Sequence, residues 1–404
     1  MLNSQENGAG SRQPLVTRPL LLRFVSIIGA STSFYLLLSV VPLYAEGAAG
    51  SHGSAAGLTT GALMLATVGG ELATPRFVAR FGYRLALGAG LVLLGAPAFA
   101  LSASGSPVWI TAVCVLRGLG FAFTVVAGGA LTASLIPAGR RGEGLALVGI
   151  VSGVPSLVAL PLGVWLAAHV GYGPVFAAGA VAALAAVVSV PGLPDRDPAP
   201  EPAIGVAAGF RTPALIRPTL VFATTALAAG ILVTFLPLAV PSASAGVVAT
   251  ALFAQSAAST AARWVAGRHG DRHGPAALLL PGLAAAVAGT LLTALTRSPV
   301  AVVIGVTLFG VGFGITQNAT LTLMYARVPA SGYGTVSALW NFAFDAGMGV
   351  GAVGFGILAG RTGYPAAFAL TAALMLTALA PAWRDRRTED PRASVRAEVE
   401  SSGR

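Results

Sequence analysis

Long unbroken apolar runs dominate the chain, with neither the alternation of half-buried strands nor the stripe of surface helices. Stretches of roughly 20 residues, enough to cross a bilayer as α-helix, recur near 19–44, 55–75, 85–103, 107–136, 144–167, 175–193, 218–240, 247–266, 276–296, 300–326, 335–359 and 366–383. The pattern predicts an all-α membrane protein with 12 transmembrane helices. Pro97, Pro155, Pro161, Pro237 and Pro281 fall inside these runs. They do not veto helix, because neighbouring helices satisfy the freed backbone groups. The first run exceeds a signal-peptide core and follows a polar tail with Arg12 and Arg18, so it is expected to persist in the mature protein. The one long break, Pro191 to Arg217, is polar and proline-rich and reads as a linker. The expected organisation is an N-tail (1–18), a six-helix bundle (19–193), a linker (194–217), a second six-helix bundle (218–383) and a charged C-tail (384–404).

Composition narrows the class. Of 404 residues, 55% are hydrophobic and 9% charged, against roughly 25% charged in soluble chains. That excludes an aqueous enzyme, a disordered scaffold and a disulfide-stapled secreted domain. The 24 basic residues, all Arg, exceed the 14 acidic ones and give a net charge of +10. With both termini cytoplasmic, the tails, linker and loops on that side, together with the span ends that hold Arg23 and Arg263, collect 21 of the 24; Arg297, Arg361 and Arg117 are the remainder. This is a positive-inside distribution, which accounts for the basic charge without nucleic acid. Cys114, the single cysteine, sits in an apolar run and reads as a packing residue.

A displacement of 192 residues brings the two halves into register without gaps. Arg80 and Gly82 fall on Arg272 and Gly274, and Ser106-Pro107-Val108 on Ser298-Pro299-Val300. Gly118, Gly120, Phe121 and Thr124 meet Gly310, Gly312, Phe313 and Thr316; Gly171-Tyr172 meets Gly363-Tyr364. The chain therefore reads as two pseudo-symmetric halves, an arrangement typical of secondary transporters that bind substrate near the midplane.

Over essentially its whole length the chain resembles the major facilitator superfamily. Gly267, Asp271, Arg272 and Gly274 match the family's Gly-x-x-x-Asp-Arg-x-Gly loop between helices 8 and 9. The equivalent loop between helices 2 and 3 keeps Arg80, Gly82 and Arg84 but has Pro75 and Ala79 where the family has Gly and Asp. Arg117, Gly118 and Gly120 look like the family's intramembrane Arg motif. Gly149, Gly153, Pro155, Pro161 and Gly163 are similar to its antiporter-type Gly/Pro signature. The resemblance is to bacterial 12-helix drug/proton antiporters and predicted sugar-efflux permeases. It implies the major facilitator fold, a cytoplasmic-membrane location, a gating role for these loops, and a cavity lined by helices 1, 4, 7 and 10.

Positions that break the repeat mark candidate chemistry. Arg117 faces Phe309 and Asp345 faces Gly153, each about ten residues or 15 Å into its helix. An unpaired charge there costs at least about 2.5 kcal/mol. A carboxyl in apolar surroundings favours its protonated form, so Asp345 is the expected proton acceptor, with Arg117 as its electrostatic partner or a substrate contact. The alternatives are a permanent salt bridge or an Arg bonding backbone carbonyls. Glu71, whose repeat mate is Arg263, reads as a gate latch, a second proton site or a near-interface residue snorkelling to water. Candidate substrate contacts are Ser31, Phe34 and Tyr35 on helix 1, Phe121 and Thr124 on helix 4, Phe313, Gln317 and Asn318 on helix 10, and Asn341 and Met348 on helix 11. Their aromatic and amide character suits a bulky, mostly apolar ligand; the alternative for each aromatic is plain helix packing. His269 and His273 are spaced i, i+4 in a predicted loop among basic neighbours, which argues against a metal site. Only Glu71 and Asp345 count as carboxylates well inside spans, and neither His nor Lys accompanies them, which argues against an enzyme. The expected protein is a monomeric proton-coupled exporter of hydrophobic or amphiphilic compounds, without cofactors, its partners being substrate, protons and lipid. The alternative is a proton-linked transporter of a sugar or small metabolite.

Overall fold

The computed structural model describes residues 16–50, 53–136, 141–195, 212–241, 245–329 and 332–388. The expected N-tail to residue 15, most of the linker (196–211) and the C-tail from 389 lie outside the described residues. The chain is all-helical: α1 (Arg18–Leu38), α2 (Val40–Ala49), α3 (Ser54–Ala100), α4 (Pro107–Leu135), α5 (Arg141–Val170), α6 (Tyr172–Ala186), α7 (Pro213–Ala239), α8 (Ala245–His273), α9 (Leu279–Thr293), α10 (Pro299–Ala326), α11 (Tyr333–Thr362), α12 (Tyr364–Met375) and α13 (Leu379–Thr388).

Among the described residues, ten helical segments are long and apolar enough to cross a membrane. One of them, Ser54–Ala103, has 50 residues, about 75 Å of helix against a hydrocarbon core of roughly 30 Å. It turns at Gly82, whose φ of 83° and ψ of 171° break the helical path. The sequence reading places a loop at 76–84; helix continues through Pro75 and the break narrows to one residue. The 267–273 stretch, also expected as a loop, is helix that prolongs α8 to His273. Polar residues do not end these helices, because they project past the apolar layer into water. Solvent-facing Leu58, Leu65 and Leu72 repeat along α3, and Ile150, Val154, Val158 and Leu162 along α5. Apolar stripes of that length fit lipid rather than water.

The duplication is written into the backbone. Gly82 and its repeat mate Gly274 have φ of 83° and 82°, and Gly171 and Gly363 have φ of 82° and 78°. A Cβ is strained in that region, so glycine recurs at both pairs. Helix crossings repeat as well. Gly120 lies against the backbone of Gly90 and Leu94, and Gly312 against that of Gly282 and Ala286; Gly118 meets the Leu63 carbonyl, and Gly310 that of Gln255. Every one of these partners is displaced by the same 192 residues. Small residues let the backbones approach this closely.

One face of the bundle, the terminal face, gathers the start of α1, the α3 turn and the ends of α4, α6, α10 and α13. There Asp195 receives the Arg84 backbone N–H at 3.2 Å on Oδ1 and the Tyr83 N–H at 3.1 Å on its carbonyl. Arg84 Nε also donates to the Leu193 carbonyl at 2.6 Å. A carboxylate after α6 thus serves the turn whose own sequence has Ala79 in place of Asp. Asp385 pairs with Arg327 at 3.1 Å and Arg217 at 3.9 Å. The far face is sealed between the halves. Ser39 Oγ donates to the Val233 carbonyl at 2.7 Å, and the Thr60 and Thr234 hydroxyls meet at 3.0 Å. Gly57 approaches Ala352, and Gly53 lies beside Phe235 and Tyr364. Glu46 is another buried carboxylate, missed by the sequence reading. Its Oε1 and Oε2 accept the Gly53 and Ala56 N–H groups at 2.5 and 3.1 Å, capping α3 where the helix dipole favours negative charge.

Candidate substrate cavity

Between the halves lies a cavity of about 460 Å³, and beside it, nearer the far face, a smaller chamber of about 120 Å³. The two share Tyr35, Ser156, Thr260, Arg263, Gln317 and Phe344. On α1 the larger chamber runs from Arg23 to Tyr35, on α4 from Phe121 to Thr132, and on α5 from Val148 to Ser156. It therefore occupies the half toward the terminal face, below the far-face seal.

The structure brings most of the predicted substrate set to these walls. Ser31, Phe121, Thr124 and Asn341 line the larger chamber, Phe34, Phe313 and Met348 the smaller, and Tyr35 and Gln317 both. Phe34 stacks on Phe121 with ring centroids 3.7 Å apart. Asn318 is not on a wall; it faces Gly267 of α8. Of the gating residues, Arg263 lines both chambers, whereas Arg80, Gly82, Arg84 and Gly267 to Gly274 lie toward the terminal face. The Asp271 side chain lies outside the described residues. The cavity also departs from the 1, 4, 7, 10 expectation. Its walls include α5, α8 and α11, while α7 contributes only Ala229 and Val233.

Glu71 on α3 and Asp345 on α11 bring their carboxyl groups within hydrogen-bond reach of each other in the larger chamber. Asp345 is buried. Among the described residues, neither Glu71 Oε1 nor Asp345 Oδ1 has a hydrogen-bond partner as an ionised group. Carboxyl groups in such reach of each other form the arrangement that can share one proton. The repeat explains the meeting: Asp345 and its mate Gly153 line the same chamber, as do Glu71 and its mate Arg263.

Arg117 is not the partner of Asp345. Its guanidinium is buried and donates from Nε to the Leu94 carbonyl at 3.1 Å and from Nη2 to the Ser33 carbonyl at 3.0 Å, tying α4 to α3 and α1. It lines neither chamber. Arg117→Ala is therefore expected to lose on the order of 2–5 kcal/mol of stability, as buried truncations do, with Arg117→Met recovering most of it. Thermal unfolding in detergent measures this; a coupling role would instead leave unfolding unchanged and abolish pH-driven transport.

Arg23, which the sequence groups with the positive-inside charge, lines the larger chamber while itself buried. Its Nε donates to the Gly128 carbonyl and Thr132 Oγ1, each at 3.1 Å, its Nη1 to Ser26 Oγ at 2.7 Å, and its Nη2 to the Thr124 carbonyl at 3.2 Å. The signal available in sequence was its place inside an apolar run, with Gly128 and Thr132 spaced i, i+4 on α4. Gln255, Ser259 and Trp340 were also missed.

The Major Facilitator Superfamily model matches residues 23–352 and, in a second match, 219–402. The chain belongs to the major facilitator superfamily. Solved structures agree on the fold. The nucleoside transporter NupG is similar at a TM-score of 0.72 with 14% identity, covering 92% of this chain and 99% of that one. A bacterial homologue of the human lysosomal transporter Spinster, in an inward-facing unoccupied conformation, gives 0.70 with 15% identity over 92% and 96%. The human organic anion transporter MFSD10 gives 0.64 with 17% identity over 92% and 100%. No curated protein sequence matches the chain. The protein is a multi-pass membrane transporter, not an enzyme.

Proposed function

We propose that this protein is a proton-coupled exporter of amphiphilic small molecules, working by alternating access in a bacterial cytoplasmic membrane. The carrying observation is the Glu71–Asp345 pair, which joins α3 of one half to α11 of the other inside the cavity. A proton held there ties the halves at the place where they must part. Proton loss leaves two like charges facing each other and biases the conformational equilibrium. Aromatic rings beside amides suit ligands with an apolar body and a polar end.

In this reading the chain crosses the membrane twelve times: through the ten apolar segments, a second crossing from the turn at Gly82, and α8, whose Arg263 and Arg268 dilute its apolar character. They form two six-helix bundles, 19–193 and 218–383, joined by the 194–217 linker, with both termini cytoplasmic as the arginine distribution favours. The cavity then faces the cytoplasm in this structure. A second reading, proton-linked transport of a sugar or small metabolite, draws support from Gln255, Gln317 and Asn341 on the walls.

A compound panel in an efflux-deficient bacterial host, comparing wild type with Asp345→Asn, tests the exporter. Resistance to an amphiphilic class that vanishes in the variant is expected. Unchanged sensitivity across the panel, with proton-driven sugar accumulation in vesicles, would support the second reading instead.

A further inference from the structure

The charge balance of the cavity carries a more specific conclusion about its ligand, resting on the reading of this cavity as the substrate site. Four charged side chains line the larger chamber: Arg23, Glu71, Arg263 and Asp345. Two of them face each other, and carboxyls in hydrogen-bond reach can share one proton; sharing it, they count together as a single negative charge. Arg23 adds a positive charge but has committed its Nε, Nη1 and Nη2 atoms to groups of α1 and α4. Arg263 is different. Its exposed side chain borders both chambers, and its guanidinium makes no hydrogen bond or ion pair among the described residues. Its electrostatic neighbour is the Tyr35 hydroxyl, which also lies within range of Asp345. The balance is a net positive chamber whose free guanidinium sits where the two chambers meet.

The surroundings of Arg263 are equipped for a polar group. Gln255 Oε1, Ser259 Oγ, Gln317 Oε1 and Trp340 Nε1 are buried without hydrogen-bond partners among the described residues. Gln255, Ser259 and Gln317 share the smaller chamber with Arg263, and Gln317 and Trp340 share the larger. Buried polar atoms in native proteins are satisfied by protein groups or by water, so side chains of this kind on the cavity walls can turn to serve water or the polar groups of a ligand. Phe34, Tyr35 and Phe344 stand on the same walls and offer faces for a ring.

We propose that the ligand is an amphiphilic organic anion, its carboxylate, sulfonate or phosphate group held by Arg263 and its ring system lying against Phe34, Tyr35 and Phe344. A planar guanidinium binds such oxyanions through paired N–H donors. The position also separates the two cargoes: the anion sits on α8 and the proton between α3 and α11, with Tyr35 between them. An anion that binds Arg263 neutralises the excess positive charge of the chamber without displacing the shared proton.

Two fluorescent probes with one ring system test this: anilinonaphthalene sulfonate, and N-phenylnaphthylamine, which lacks the sulfonate. Each is titrated against the full chain in zwitterionic lipid nanodiscs, with empty nanodiscs subtracted. Wild type is expected to bind the sulfonate more tightly than the neutral probe. Arg263→Gln is expected to weaken the sulfonate about tenfold or more, the scale of a lost charge-assisted hydrogen bond, and to leave the neutral probe unchanged. Arg263→Lys restores most of the sulfonate binding. A neutral probe that binds wild type as tightly as the sulfonate overturns the proposal. So does failure of both probes to bind, an unchanged sulfonate affinity in Arg263→Gln, or an equal loss of both probes in that variant. Equilibrium binding needs no proton gradient and no transport, so its failure is distinguishable from failure of the exporter reading.

Discussion

Asp345→Asn is expected to abolish accumulation driven by a pH gradient in proteoliposomes while leaving downhill exchange intact. One proton per cycle across one pH unit supplies about 1.4 kcal/mol, enough for about tenfold accumulation. The asparagine variant should show none, because its amide cannot release a proton on either side of the membrane. It still donates a hydrogen bond to Glu71, so the contact between α3 and α11 survives and the protein stays folded. Glu71→Gln is expected to do the same, since a shared proton is lost when either oxygen donor is replaced. Accumulation at the wild-type level in both variants would remove the pair from the coupling mechanism.

A bulky side chain at Gly57 is the second large effect. An added Cβ there would stand 2.5 Å from the Ala352 carbonyl and 3.5 Å from the Phe235 ring, so the far-face seal between α3 and α11 cannot close over it. Overpacking of this kind costs about 1–3 kcal/mol, a population shift of roughly 5- to 150-fold. Because Gly57 contacts the other half rather than its own, the cost falls on the sealed state and not on folding. Gly57→Leu is expected to raise the reactivity toward a membrane-impermeant thiol reagent of a cysteine placed at Val353, which packs on Gly61 across the seal, in a background lacking Cys114. A Val353 site that stays protected in Gly57→Leu would mean that the seal yields elsewhere. Loss of a monodisperse peak on size exclusion would mean that Gly57 supports folding.

The sequence carried the architecture further than the chemistry, for a physical reason. Hydrophobic runs and a fixed displacement of 192 residues are one-dimensional signals. The bilayer makes helix the only viable reading of the first, and Gly82/Gly274 and Gly171/Gly363 share backbone angles as well as register. The cavity is a three-dimensional coincidence between chain segments far apart. Asp345 was legible as an apolar-run carboxylate, and Glu71 as the odd member of a repeat pair, but nothing in one dimension says that their carboxyls meet. Arg117 shows the reverse error. A deep charge suggested chemistry, yet backbone carbonyls at Leu94 and Ser33 satisfy it. Arg23 looked like topological charge because it sits near a helix start, and only the position of α4 reveals it as buried. Asp195 stands in for a missing loop carboxylate from more than a hundred residues away, a substitution that motif matching within one loop cannot find.

Coupling in this reading rests on one proton shared between α3 and α11. Infrared spectra of the purified protein in lipid, recorded through a pH titration in light and heavy water, address it without a known substrate. A protonated-carboxyl stretch is expected in wild type that both Glu71→Gln and Asp345→Asn alter, each variant changing the band of the carboxyl that remains. Two independent bands, each removed by one variant and untouched by the other, would contradict it.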